Sequence, residues 1–149
     1  MNGEFLQILG IHLNNIFVKI ETTHKEINAA PKEIYNFLMD TNNFEQLFPQ
    51  DKISEWESTT ETCSMKVQNM GVLGLKRVAS TPNSLVYFDS FGKTPFKFTF
   101  NIFLEEKENK CLAKIVFEGN VNPFMKMMVE KPLTGFMNGL SDKLSEIHA

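Results

Sequence analysis

The chain has 149 residues, 42% hydrophobic and 22% charged, the length and composition of one globular domain with a buried core, which excludes a disordered or fibrous chain. Its net charge of −3, its single arginine (Arg77) and the lack of any basic run longer than Lys76-Arg77 exclude the clustered cations that nucleic acid or an anionic membrane surface requires. Aromatic usage is lopsided, with 14 Phe against 2 Tyr and 1 Trp, so most aromatic surface carries no polar group and suits a dry interior.

Cys63 and Cys111 lie far apart and form no C-x-x-C pair, which speaks against a disulfide framework or zinc ribbon and for a reducing cytoplasm. No apolar stretch approaches the roughly 20 residues of a membrane-spanning helix, so no integral membrane segment is expected. The amino-terminal patch from Phe5 to Ile11 follows Glu4, has no leading cation and no small-residue cleavage site. Residues 1–15 therefore read as an extension that could form a short helix, and residues 16–149 as a single domain.

Ile16, Val18, Ile20 and Thr22 recur at every second position, the period of a strand with one buried face, and this strand is expected over 16–27. Pro31 suits the first position of a helix, where its missing N–H costs nothing, and Ile34, Phe37 and Leu38 give that helix one apolar side. The run Asp40 to Asn43 ends it and caps a second short helix carrying Phe44, Leu47 and Phe48, stopped by Pro49.

Between 52 and 121, turn-forming clusters recur about every ten residues, the mark of an antiparallel meander of six strands. The clearest strand runs from Phe96 to Ile102. Phe96, Phe98, Phe100 and Ile102 share a dry face, and Lys97, Thr99 and Asn101 a wet one. In the next strand Ala113, Ile115 and Phe117 point inward, Lys114 and Glu118 outward. The isolated Gly71-Val-Leu-Gly74 reads as a tight turn.

After Asn122-Pro123 the period becomes helical to about Ile147, with Met125, Val129, Leu133, Phe136, Met137, Leu140, Leu144 and Ile147 within an arc of about 120°. This is a long amphipathic helix that covers a sheet. Pro132 removes a backbone hydrogen bond and predicts a kink near 128–132. Gly135 and Gly139 each cost about 1 kcal/mol relative to Ala in a helix interior. They leave a second packing surface, for a homodimer or a cavity mouth, or are simply tolerated.

The order is strand, two short helices, six antiparallel strands and a long carboxy-terminal helix. It resembles the START-like, or SRPBCC, superfamily, which includes lipid-transfer domains and polyketide cyclase/dehydrase-like proteins. The stretch from Glu26 to Leu38 resembles that family's strand-to-helix transition, Asn43-Phe44 to Phe48-Pro49 its second short helix, and Asn122-Pro123-Phe124 the start of its last one. The resemblance covers roughly residues 16–147. It implies an α+β helix-grip fold: a seven-stranded curved antiparallel sheet wrapped around the long helix, the first strand paired with both the second and the last, and an elongated apolar cavity between sheet and helix. It also implies that Cys63 and Cys111 sit several strands apart and stay free.

The expected function is binding of a hydrophobic small molecule such as a lipid, sterol or polyketide in that cavity, without catalysis or cofactor. Phe96, Phe98, Phe100 and Phe117 either line the cavity or simply pack the core, and the same choice holds for Met128, Phe136 and Leu140 on the helix. Arg77 follows Leu73 and Leu75 at strand spacing, so it either faces inward to hold an anionic head group or lies on the outer face. Tyr87 and Asp89 share one face, and both enter the cavity or neither does; Tyr35 has a weaker claim. His24 points inward unless a bulge precedes Ile27. The alternative is a cyclase/dehydrase-like enzyme in which His24, Arg77, Tyr87 or Asp89 moves a proton or polarises a carbonyl. No metal-ligand spacing, Walker A, G-x-G-x-x-G or G-x-S-x-G motif occurs.

Overall fold

A computed structural model describes residues 15–148; the extension read over residues 1–15 therefore lies almost entirely outside the described residues. The alternation at Val18 and Ile20 makes β1 (Ile16–Glu21) a strand with both side chains buried, but its phase does not survive to Ile27. Thr22 still pairs with Ile115, its N–H donating to the Ile115 carbonyl at 3.0 Å and its hydroxyl accepting the Ile115 N–H at 2.9 Å. The next paired residue is Lys25, opposite Ala113, so two residues face one and the strand bulges. The bulge separates β2 (Lys25–Ile27) from β1, which gives eight strands where seven are expected, and it leaves His24 exposed.

Pro31 opens α1 (Pro31–Leu38), which buries Ile34 and Leu38. The second short helix is a 3-10 helix, Thr41–Leu47, capped by the Asp40 carboxylate accepting the Asn42 N–H at 3.0 Å. Six strands follow as expected: β3 (Ile53–Ser58), β4 (Thr62–Val67), β5 (Gly71–Thr81), β6 (Leu85–Ser90), β7 (Phe98–Lys107) and β8 (Lys110–Val121). The helix α2 (Pro123–Glu146) closes the chain, with the Asn122 side chain accepting the Met125 N–H at 2.7 Å and the helix continuous through Pro132.

All strand pairs are antiparallel, in the order β1-β8-β7-β6-β5-β4-β3, with β2 also on β8. The first strand thus pairs with the last and not, as the resemblance implies, with the strand after the short helices. That strand, β3, is a free edge among the described residues. Its register slips between Ser54 and Glu57, and Glu55 adopts φ 53°, a bulge that bends the edge and discourages further pairing. The sheet curves over α2, which packs against β1, β2, β8 and the 3-10 helix.

Gly74 is not a turn residue. It lies inside β5, where the Phe91 N–H donates to its carbonyl at 2.9 Å and a Cβ would sit 2.0 Å from the Phe91 oxygen. Only Gly71, with φ 101°, serves the turn.

Cys63 and Cys111 are both free and buried, on β4 and β8, four strands apart in the sheet. Burial pushes the Cys63 thiol from its ordinary 9.0 up to about 12 and moves Cys111 in the same direction. The folded state therefore holds a proton that the unfolded state releases above about pH 9, and stability falls as pH rises from there toward 12. Urea unfolding at pH 8, 9.5 and 10.5 is expected to show a decline of up to about 1.4 kcal/mol per pH unit for each thiol, of which Cys63→Ala removes the Cys63 part and leaves that of Cys111. Native protein should also resist thiol alkylation at pH 8 until it unfolds.

Candidate functional site

The inner sheet face is a continuous array of phenyl rings. Phe98 stacks on Phe117 at 4.9 Å, Phe96 meets both edge-on, and Phe100 meets Phe88 at 5.9 Å. The 3-10 helix inserts two more rings: Phe44 reaches Phe88 at 5.2 Å, and Phe48 stacks on Phe136 of α2, also at 5.2 Å. A side chain bordering a void large enough for water keeps accessible surface, yet Val86 and Phe88 retain 0% and Phe117 only 1%. The centre of the interior is therefore packed and dry. Phe98, Phe100, Phe117, Phe136 and Leu140 belong to one buried cluster with Phe96 packed against it.

The polar candidates do not converge. Arg77 does share the inner side of β5 with Leu73 and Leu75, but it sits at the end of the core, where its Nη1 donates to the carbonyls of Met39 at 2.6 Å and Thr60 at 2.8 Å. It ties the end of α1 to the β3–β4 turn and is no head-group anchor. Its replacement by Met leaves the partly buried Met39 carbonyl short of a donor, while the Thr60 carbonyl keeps the Thr41 N–H at 2.9 Å, and is expected to cost about 1 kcal/mol in urea unfolding. Tyr87 and Asp89 lie on the outer face, bordering a shallow recess with Phe17, Lys97 and Glu118, a recess that Phe98 also borders. His24 is exposed in the bulge, Met128 is 48% exposed at the start of α2, and Tyr35 donates to Ser80 Oγ at 2.9 Å on the surface.

Two recesses flank α2. The larger, about 1050 Å³, lies between the 3-10 helix and the end of α2. It is open and carries four carboxylates, Glu45, Asp51, Asp142 and Glu146, against one Lys143, a poor seat for an apolar molecule. The smaller, about 500 Å³, is half-enclosed and mainly apolar, within the range of about 300–1,000 Å³ typical of small-molecule sites.

Three segments build the smaller recess. After the 3-10 helix, Pro49 and Lys52 form a turn closed by the Lys52 N–H on the Pro49 carbonyl at 3.0 Å. The β4–β5 turn supplies Val67, Gln68, Asn69 and Met70, with Asn69 at φ 66° and the Met70 N–H donating to the Val67 carbonyl at 3.0 Å. The Gln68 N–H donates to the Lys52 carbonyl at 2.8 Å and joins these two turns. Opposite them, α2 presents Lys131, Pro132, Gly135, Phe136 and Gly139, which share one face at helical spacing. A Cβ on Gly135 or Gly139 would meet nothing within 4 Å, so both glycines border open space.

Of the ten ligand-site residues expected from the sequence, only Phe136 lines this recess. Lys52, Met70 and Lys131 escaped notice because they come from separate turns and a helix surface. The i, i+4 glycine pair was the one visible signal. Trp56, the only tryptophan, packs on Phe48 at 5.6 Å, and Phe48 stacks on Phe136, which places a fluorophore one ring behind the recess.

No protein-family model and no curated protein matches this chain in sequence. Solved structures do match in shape. Norcoclaurine synthase from Thalictrum flavum, as a point mutant with a transition-state analogue, is 14% identical with a TM-score of 0.70, over 89% of this chain and 94% of that one. The same enzyme in complex with dopamine and hydroxybenzaldehyde is 16% identical with a TM-score of 0.68, over 90% and 87%. A START superfamily protein from Mycobacterium smegmatis is 12% identical with a TM-score of 0.60, over 88% and 98%. The chain has the helix-grip fold of these structures, a curved antiparallel sheet over a long carboxy-terminal helix. No helix among the described residues is long and apolar enough to cross a membrane.

Proposed function

We propose that this protein binds a hydrophobic small molecule, without covalent chemistry, in the recess between Met70 of the β4–β5 turn and Phe136 of α2. Residues 16–149 act as one binding unit, in a reducing cytoplasm that suits two free buried thiols. The observation that carries the reading is a half-enclosed, mainly apolar space beside Gly135 and Gly139, where a side chain at either position would enter open space. Ligands related to those of the structural neighbours would meet a different seat here, because phenyl rings occupy the middle of the sheet-helix interior. Binding is driven by burial, at about 0.8 kcal/mol for each CH₂ removed from water. The catalytic alternative loses support because Tyr87 and Asp89 share only a shallow recess on the outer face, while Arg77 is held on the inner side by backbone carbonyls and His24 is exposed in the bulge.

Gly135→Leu tests the reading. The new side chain enters open space, and leucine is favoured over glycine in a helix by up to about 1 kcal/mol. A neutral apolar fluorophore such as 1-aminoanthracene is expected to bind the native protein one to one, to perturb Trp56 emission, and to bind Gly135→Leu at least about tenfold more weakly, with no loss of thermal stability. Equal binding by a folded Gly135→Leu variant would count decisively against this site.

A further inference from the structure

We infer that the ligand of this recess is an amphipathic anion: an apolar body resting on Met70, Pro132 and Phe136, with a carboxylate at its end held by Lys52 and Lys131. This rests on the reading that the recess is the binding site. Eleven residues line it, and the charged ones are two lysines with no aspartate or glutamate among them. Neither lysine lies within ion-pair distance of a carboxylate among the described residues, a state they share with most of the chain's lysines, so what sets them apart is their place together on the rim of an apolar recess.

The surroundings sharpen the selectivity. The protein is net negative, and the adjoining groove, which shares Pro49 and Gly139 with the recess, carries Glu45, Asp51, Asp142 and Glu146. An anion approaching this side of α2 is repelled except where Lys52 and Lys131 stand, and a cation is drawn to the acidic groove instead. Gln68 and Asn69, on the same rim, add side-chain amides able to donate to a carboxylate oxygen. Arg77, the other candidate anchor for an anionic end, is spent on backbone carbonyls.

The experiment titrates two matched pairs, dodecanoate with dodecanol and 2-naphthoate with 2-naphthol, into the full-length protein, followed by calorimetry and Trp56 emission. At least one acid is expected to bind about tenfold more tightly than its alcohol, an advantage that shrinks with added salt. The double variant Lys52→Met/Lys131→Met is expected to lose that advantage and keep its affinity for the alcohol, with unchanged circular dichroism. If an alcohol binds and neither acid binds more tightly than its partner, or if the double variant keeps the preference, the anion inference is overturned while the site stands. If none of the four binds, or if Gly135→Leu binds all as the native protein does, the site itself is overturned.

Discussion

Gly74→Ala is expected to lower stability by about 3 kcal/mol and the melting temperature by about 10 °C, read by urea and thermal unfolding. The added methyl would sit 2.0 Å from the Phe91 carbonyl oxygen and 3.0 Å from its carbon, and the obstacle is backbone, which cannot swing aside as a side chain can. Moving the 91 segment away also breaks the Phe91 N–H bond to the Gly74 carbonyl, now at 2.9 Å, and loosens the end of β6. Gly135→Ala is the matched control with the opposite sign. Its methyl meets nothing within 4 Å, and removing a glycine from a helix interior should raise stability by up to about 1 kcal/mol. Equal effects at the two positions would show that backbone approach at Gly74 does not govern its cost.

That contrast marks what could be read from residues alone. The period-two pattern of Phe96, Phe98, Phe100 and Ile102 predicts a strand with those side chains inside. The strand begins only at Phe98, with Phe98, Phe100 and Ile102 buried and Phe96 partly buried beside it, and Asn101, expected on the wet face, is buried too. The Pro31 and Asn122-Pro123 signals mark where both α-helices begin, because they act through local backbone chemistry. Features that depend on a partner strand are invisible in one segment. The bulge at Thr22 to Lys25 exists only relative to Ile115 and Ala113 of β8, and it decides that His24 faces solvent. Gly74 needs Phe91 to give it meaning. The recess joins two turns to a helix face more than 60 positions away, and no local pattern relates Met70 to Lys131. The Phe row was legible as one face, but whether rings line a void or touch other rings depends on Phe44 and Phe48 arriving from the 3-10 helix.

The same packing makes a second large effect testable. Phe88→Ala is expected to cost about 3–5 kcal/mol, because Phe88 is fully buried between Phe44 at 5.2 Å and Phe100 at 5.9 Å and its loss leaves a cavity the curved sheet cannot collapse to fill. A domain with a typical stability of about 5–15 kcal/mol survives that loss in the folded state. The cavity would be lined mainly by phenyl and aliphatic groups, with Val86 on the same strand and Ile102 on β7, while Arg77, opposite Phe88 on β5, keeps its guanidinium on the Met39 and Thr60 carbonyls, so the cavity should accept small apolar molecules. Saturating benzene or indole is expected to raise the melting temperature of Phe88→Ala by more than that of the native protein, since the variant adds an interior cavity to the recess that both share. A rise of equal size in both would mean that the cavity left by Phe88 takes up no such ligand, and that the neighbouring rings have closed over it.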